Sequence, residues 1–103
     1  MQELSDIDEF AEGNVILKFW AEWCIPCKML APAMEEIDQE FPDIKILSVN
    51  VDKSRISKRW DIRGIPAIVF LKDGLEIDRI IGMKPKDEIV EIIKNRYQED
   101  EAS

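Results

Sequence analysis

With 103 residues, 46% hydrophobic and 35% charged, the chain is expected to form one small soluble domain spanning 1–103, with no second core. No run approaches the roughly 20 apolar residues that span a bilayer, and the acidic opening MQELSDIDEF lacks the basic start and apolar centre of a secretory signal. Taken as a whole gene product it is expected in the cytoplasm, and its net charge of −8 argues against general binding to nucleic acid or anionic membrane.

Strand and helix signals alternate along the chain. VILKFW (15–20) follows Gly13-Asn14 as an apolar, β-branched run broken only by Lys18, and reads as a buried strand. From Cys27 the period becomes helical: Met29, Leu30, Ala33, Met34, Ile37 and Phe41 fall on one stripe, bent at Pro32 and ended by Pro42-Asp43. KILSVNVD (45–52) alternates as a second strand, and KSRISKRWD (53–61) reads as a short surface helix with Ile56 and Trp60 four apart.

IRGIPAIVFL (62–71) gives a Gly-Ile-Pro lead-in and another apolar strand, and KDG (72–74) signals a hairpin. LEIDRIIG (75–82) alternates at first and loses its pattern near Gly82, so its inward face is not defined by sequence. An amphipathic helix from about Lys86 to Tyr97 follows, with Ile89, Val90, Ile92 and Ile93 on one side, and residues 98–103 read as a frayed acidic tail. The order predicts an α/β fold, with helices covering a mixed sheet.

The chemistry rests on AEWCIPCKML (21–30), which holds both cysteines. A structural zinc site takes four ligands, mostly cysteine and histidine. This chain has no histidine and two cysteines, so a metal site would have to be shared between chains. A structural staple closing so short a loop would constrain the unfolded chain little.

A redox couple fits best. Cys24 at a helix start and Cys27 one turn in would be neighbours on one face, near the roughly 5.5 Å separation of disulfide-bonded α-carbons. Pro26 suits the first turn, and the helix N-terminus favours a Cys24 thiolate able to attack a disulfide.

KFWAEWCIPCKMLAP resembles the active-site segment of the thioredoxin family, and the similarity continues through NVD (50–52), IRGIPAIVFLKDG (62–74) and Gly82. The resemblance implies a thioredoxin fold, a central mixed sheet of four to five strands flanked by helices. It also implies that Cys24 is the solvent-facing nucleophile and Cys27 the buried resolving thiol. Trp23 would shield the disulfide and touch substrate. Pro66 would be the family's cis-proline, Ile65 would offer its backbone to an extended substrate strand, and Gly82 would line the same groove. Lys28 is a surface cation whose charge favours thiolate or is simply solvated, while Phe19 and Trp20 read as packing residues.

Three departures stand out. The family usually has a buried aspartate where this chain has Lys18, and the lysine that usually faces it is replaced by Ser48. Lys18 is therefore expected to find a carboxylate, to reach solvent along its stem or to titrate neutral; it either favours the Cys27 thiolate, accepts its proton, or turns its charged end away and leaves proton transfer to water. Ile25 replaces the usual glycine between the cysteines, and is expected to alter the potential and the choice of partner. The N-terminal segment is short, leaving MQEL as an edge strand and residues 6–13 as a turn or two of helix.

The resulting expectation is a monomeric protein-disulfide reductase that needs no bound cofactor or metal and is recharged by a thioredoxin reductase or another disulfide reductase. A binding or assembly module that does not use its thiols, and a more oxidising oxidase or isomerase, are the alternatives.

Overall fold

The computed structural model describes residues 12–97, together with the backbone of residues 2 and 3. The helical turn expected over residues 6–13 falls mainly outside the described residues, as does the expected tail at 98–103. The elements run β1 (Gln2–Glu3), β2 (Asn14–Trp20), α1 (Ile25–Glu40), β3 (Lys45–Asn50), α2 (Ile56–Arg59), β4 (Ala67–Lys72), β5 (Leu75–Ile81) and α3 (Lys86–Tyr97). Five strands form one sheet in the order β1-β3-β2-β4-β5. β1 and β2 both pair parallel with β3, and β4 lies antiparallel between β2 and β5.

A mixed sheet follows from the connections. Strands β2 and β3 are parallel because α1 returns the chain between them, whereas Asp73-Gly74 turns β4 directly back into β5. Asp73 and Gly74 have φ of 50° and 83°, as a two-residue hairpin with the native twist requires.

Both faces of the sheet are covered. On one, Ile16, Ile46, Ile68 and Phe70 pack with Leu30, Met34 and Ile37 of α1 and with Ile89, Ile93 and Tyr97 of α3. On the other, Val15, Leu17, Phe19, Val49 and Val69 pack with Trp60, Ile56 and Ile62. This explains why β2 is buried for five consecutive residues.

Several sequence expectations are corrected. Met29 is 66% exposed: the core-facing stripe of α1 is Leu30, Met34, Ile37 and Phe41, and Met29 points off it. The strand expected to alternate through Asp52 ends at Asn50, and Ser48 and Asn50 are buried along with the apolar residues because the strand is covered on both sides. α1 runs from Ile25 to Glu40 with Pro32 inside it, so Cys24 lies at the helix start as expected. The surface helix is only four residues long. β5 loses its alternation because the ladder shifts register opposite Phe70 and Leu71, leaving Ile77 as the extra residue. Ile77 and Ile80 therefore both pack on the α1/α3 core.

Candidate active site

The site forms where β2 runs into α1. The Cys24 N–H donates to the Ala21 carbonyl at 3.1 Å, making a tight turn out of the strand. Cys24 then has extended backbone, φ −93° and ψ 102°, and caps the helix: its Sγ accepts from the Cys27 N–H at 3.3 Å. Pro26 occupies the first turn, where a missing N–H leaves no helical bond unmade.

The two cysteines are joined as a disulfide with α-carbons 5.3 Å apart. Its Cys24 sulfur meets a backbone donor and the positive end of the α1 dipole, the two influences that hold a thiolate once the bond is reduced. Cys24 is 4% exposed and Cys27 1%. The solvent-facing position expected for Cys24 is thus far more covered than that term implies, because Ala21, Trp20, Val51 and Ile65 pack around the pair.

What is open is the rim. Trp23 is 67% and Ile25 69% exposed; Trp23 is no core aromatic, and Ile25 stands out from the helix start, four residues before the equally exposed Met29. Phe19 is fully buried and Trp20 packs against the cysteine cluster, as expected of packing residues. Lys28 is exposed.

The indole N–H of Trp23 donates to Asp52 Oδ2 at 2.8 Å, and the Asp52 N–H donates to Asn50 Oδ1 at 2.9 Å. Asp52, part of the NVD segment, was assigned no role from sequence. Its signal was the matching NVD itself; that it fixes an exposed ring 29 residues away is legible only in three dimensions.

Beside the disulfide, Trp23, Val51, Ser57, Ile62, Arg63, Gly64 and Ile65 enclose a groove of about 310 Å³. Residues 62–65 line one side of it, and the chain then passes through a cis Ile65-Pro66 bond, with Pro66 buried. β5 and the glycine that follows it anchor residues 60–66 by two hydrogen bonds. The Arg79 Nη2–H donates to the Trp60 carbonyl at 2.8 Å while the same guanidinium grips Glu76 at 2.7 and 2.8 Å. A β-carbon on Gly64 would lie 3.2 Å from Cγ2 of Ile81. The Gly82 N–H donates to the Pro66 carbonyl at 2.7 Å.

Gly82 has φ +92°, and a β-carbon there would meet nothing within 4 Å, so backbone angle and not space calls for glycine. The register shift of β5 lies elsewhere, at Phe70 and Leu71.

Lys18 lies on the α1 side of β2, opposite Ser48 on β3 and Ile68 on β4. It is 4% exposed, and it takes part in a polar or electrostatic contact. Among the described residues no buried side-chain nitrogen or oxygen lacks a hydrogen-bond partner.

The thioredoxin family model matches residues 3–95. Thioredoxin of Chlamydia trachomatis is 41% identical over 87 residues, covering 84% of this chain and 85% of that protein. Thioredoxin of Bacillus subtilis is likewise 41% identical, covering 82% and 84%. Among solved structures, thioredoxin of Malassezia sympodialis superposes with a TM-score of 0.80 at 33% identity, over 90% of this chain and 88% of that one. No helix among the described residues is long and apolar enough to cross a membrane. Given this match and a capped Cys24-Cys27 couple at the head of α1, the chain belongs to the thioredoxin family and is a thiol-disulfide oxidoreductase.

Proposed function

We propose that the protein reduces protein disulfides with Cys24 as nucleophile and Cys27 as resolving thiol. The observation that carries the assignment is the cap: Cys24 Sγ accepts the Cys27 amide at the start of α1, while Cys27 itself points one turn into the fold. The Cys24 thiolate attacks a substrate sulfur, forming a mixed disulfide and releasing the other substrate thiolate. Cys27 then attacks Cys24, freeing the substrate dithiol and leaving the Cys24-Cys27 disulfide. Two electrons pass to the substrate, and the dithiol itself is the carrier.

Substrate would lie against Trp23, with the backbone of Ile65 pairing to an extended strand and Pro66 and Gly82 closing that side. A thioredoxin reductase or another disulfide reductase would return the protein to the dithiol, in the cytoplasm and with the protein as a monomer. Lys18, buried on the α1 side of the strand, would bias the Cys27 proton. The pH dependence of disulfide reduction should shift in both Lys18→Ala and Lys18→Asp; an identical profile in both removes Lys18 from the mechanism.

Turnover of a protein disulfide with dithiothreitol as electron source tests the central assignment. Cys24→Ser should abolish it, and Cys27→Ser, mixed with the substrate after dithiothreitol is removed, should accumulate the mixed disulfide, visible by mass. Full activity in Cys24→Ser would instead indicate a binding module. The midpoint potential separates reductase from oxidase or isomerase, since the two extremes of this chemistry lie roughly 150 mV apart.

A further inference from the structure

Charge is unevenly spread around the groove. Residues 53–63, KSRISKRWDIR, hold five of the chain's 14 basic side chains, Lys53, Arg55, Lys58, Arg59 and Arg63, and only one of its 22 carboxylates, Asp61. All five cations are exposed. The C-terminal half of α1 has the opposite character, with Glu35, Glu36, Asp38 and Glu40. A protein with a net charge of −8 thus concentrates positive charge on one short segment.

That segment adjoins the reacting sulfurs. Ser57 and Arg63 line the groove together with Trp23 and Ile65, and Val51 and Ile65 also pack on the cysteine pair. Exposed carboxylates near the groove among the described residues include Asp61 within the segment and Asp52, which accepts the Trp23 indole N–H. Arg63 shares its charge with Asp61 at 3.2 Å, and the Arg59 guanidinium lies 5.3 Å over the Trp60 ring.

We infer that residues 53–63 are a docking surface for protein partners whose disulfide is bordered by acidic side chains, with an apolar residue of the partner entering the groove. The inference rests on the Cys24 reading above and specifies its substrate class. Opposite charge steers encounter and orients the partner, and like charge rejects competitors. Salt screens such charge over a Debye length of about 8 Å at physiological ionic strength, so the preference should depend on salt.

The test uses three synthetic peptides sharing one disulfide-bonded core, flanked by Asp and Glu, by Ser and Gln, or by Lys and Arg. Second-order rate constants for oxidation of the pre-reduced protein are read from tryptophan fluorescence. At about 20 mM salt the acid-flanked peptide should react about tenfold faster than the neutral one, and the advantage should largely vanish by about 0.5 M. Arg55→Glu with Lys58→Glu should lower the acid-flanked rate and raise the basic-flanked rate, a reversal that loss of folding cannot produce. The same charge change at the far end of the sheet and on α3, Lys45→Glu with Lys94→Glu, should leave the preference in place.

Equal rates for the three peptides, or an equal loss of preference in both double variants, overturns the docking surface while leaving the redox reading intact. Inhibition by a short DNA duplex without any peptide preference would make nucleic acid the occupant and likewise overturn it. Undiminished reduction of the neutral peptide by Cys24→Ser would defeat the redox reading itself.

Discussion

The two ends of the sheet solve opposite problems. At the end where β2 starts, polar groups are closed on one another: the Gly13 N–H donates to Asp73 Oδ1 at 2.8 Å, the Asp73 N–H to the Gly13 carbonyl at 2.9 Å, and the Tyr97 hydroxyl is shared by the carbonyls of Val15 and Leu71. At the end where β2 stops, the disulfide is ringed by open apolar side chains. Of the six large hydrophobic residues exposed among the described residues, Trp23, Ile25, Met29, Ile81 and Met83 belong to this end and Leu75 to the other. Satisfied hydrogen bonds hold a fold, and uncovered apolar surface beside a reactive bond waits for a partner. One end should therefore respond to substitution in stability and the other in rate.

The sharpest contrast is expected from Phe70→Ala and Trp23→Ala. Phe70 is fully buried and its ring lies 6.5 Å from that of Tyr97. Its loss should cost about 3 to 5 kcal/mol in denaturant unfolding, with turnover per folded molecule unchanged. Trp23→Ala should leave stability within about 0.5 kcal/mol, yet lower kcat/KM for a protein disulfide about tenfold, or about 1.4 kcal/mol. A Trp23 variant that is unstable but fully active would erase the division between the two ends.

Arg79→Ala probes the seam between them. The guanidinium joins β5 to the Trp60 carbonyl, just ahead of the groove-lining residues 62–65. A charge-assisted bond at this partly exposed position is worth about 1.5 kcal/mol. Its loss should also speed amide exchange in residues 61–65, because that stretch loses one of its two anchoring hydrogen bonds. Arg79→Lys should recover part of both effects, since it keeps the charge without the fork that holds Glu76 and Trp60 together.

The sheet and the cysteine couple were legible because their signals are local: the β-branched run into Trp20, the Asp-Gly hairpin, and two cysteines one helical turn apart. What escaped the sequence depends on destination. Met29 has the same spacing as true core residues, and apolar periodicity does not distinguish a side chain that meets the sheet from one that stands in solvent. Ser48 and Asn50 looked like a solvent face, but a parallel strand covered on both sides buries them. The contacts that shape the groove join residues far apart in the chain, Trp23 with Asp52 and Arg79 with Trp60, and no window over neighbouring residues contains both partners.

Tyr97→Phe tests the closed end by itself. The hydroxyl lies 3.0 Å from the Val15 carbonyl and 2.9 Å from that of Leu71, two residues paired across β2 and β4, so one group ties α3 to both strands. Removing it should cost about 1 kcal/mol with kcat/KM unchanged. Burial, reinforced by the charge of Asp78, raises the pKa of this hydroxyl well above its ordinary 10. The folded state therefore holds the proton more tightly than the unfolded chain does. Its contribution is complete below the unfolded value of about 10 and is lost as pH rises from there toward the folded pKa. Wild-type stability should thus fall more steeply than that of Tyr97→Phe above about pH 10, so that the two unfolding curves converge in alkali. Parallel curves across that range would mean that the hydroxyl ionises as readily in the folded protein as in the unfolded chain, and that this end of the sheet is open to water.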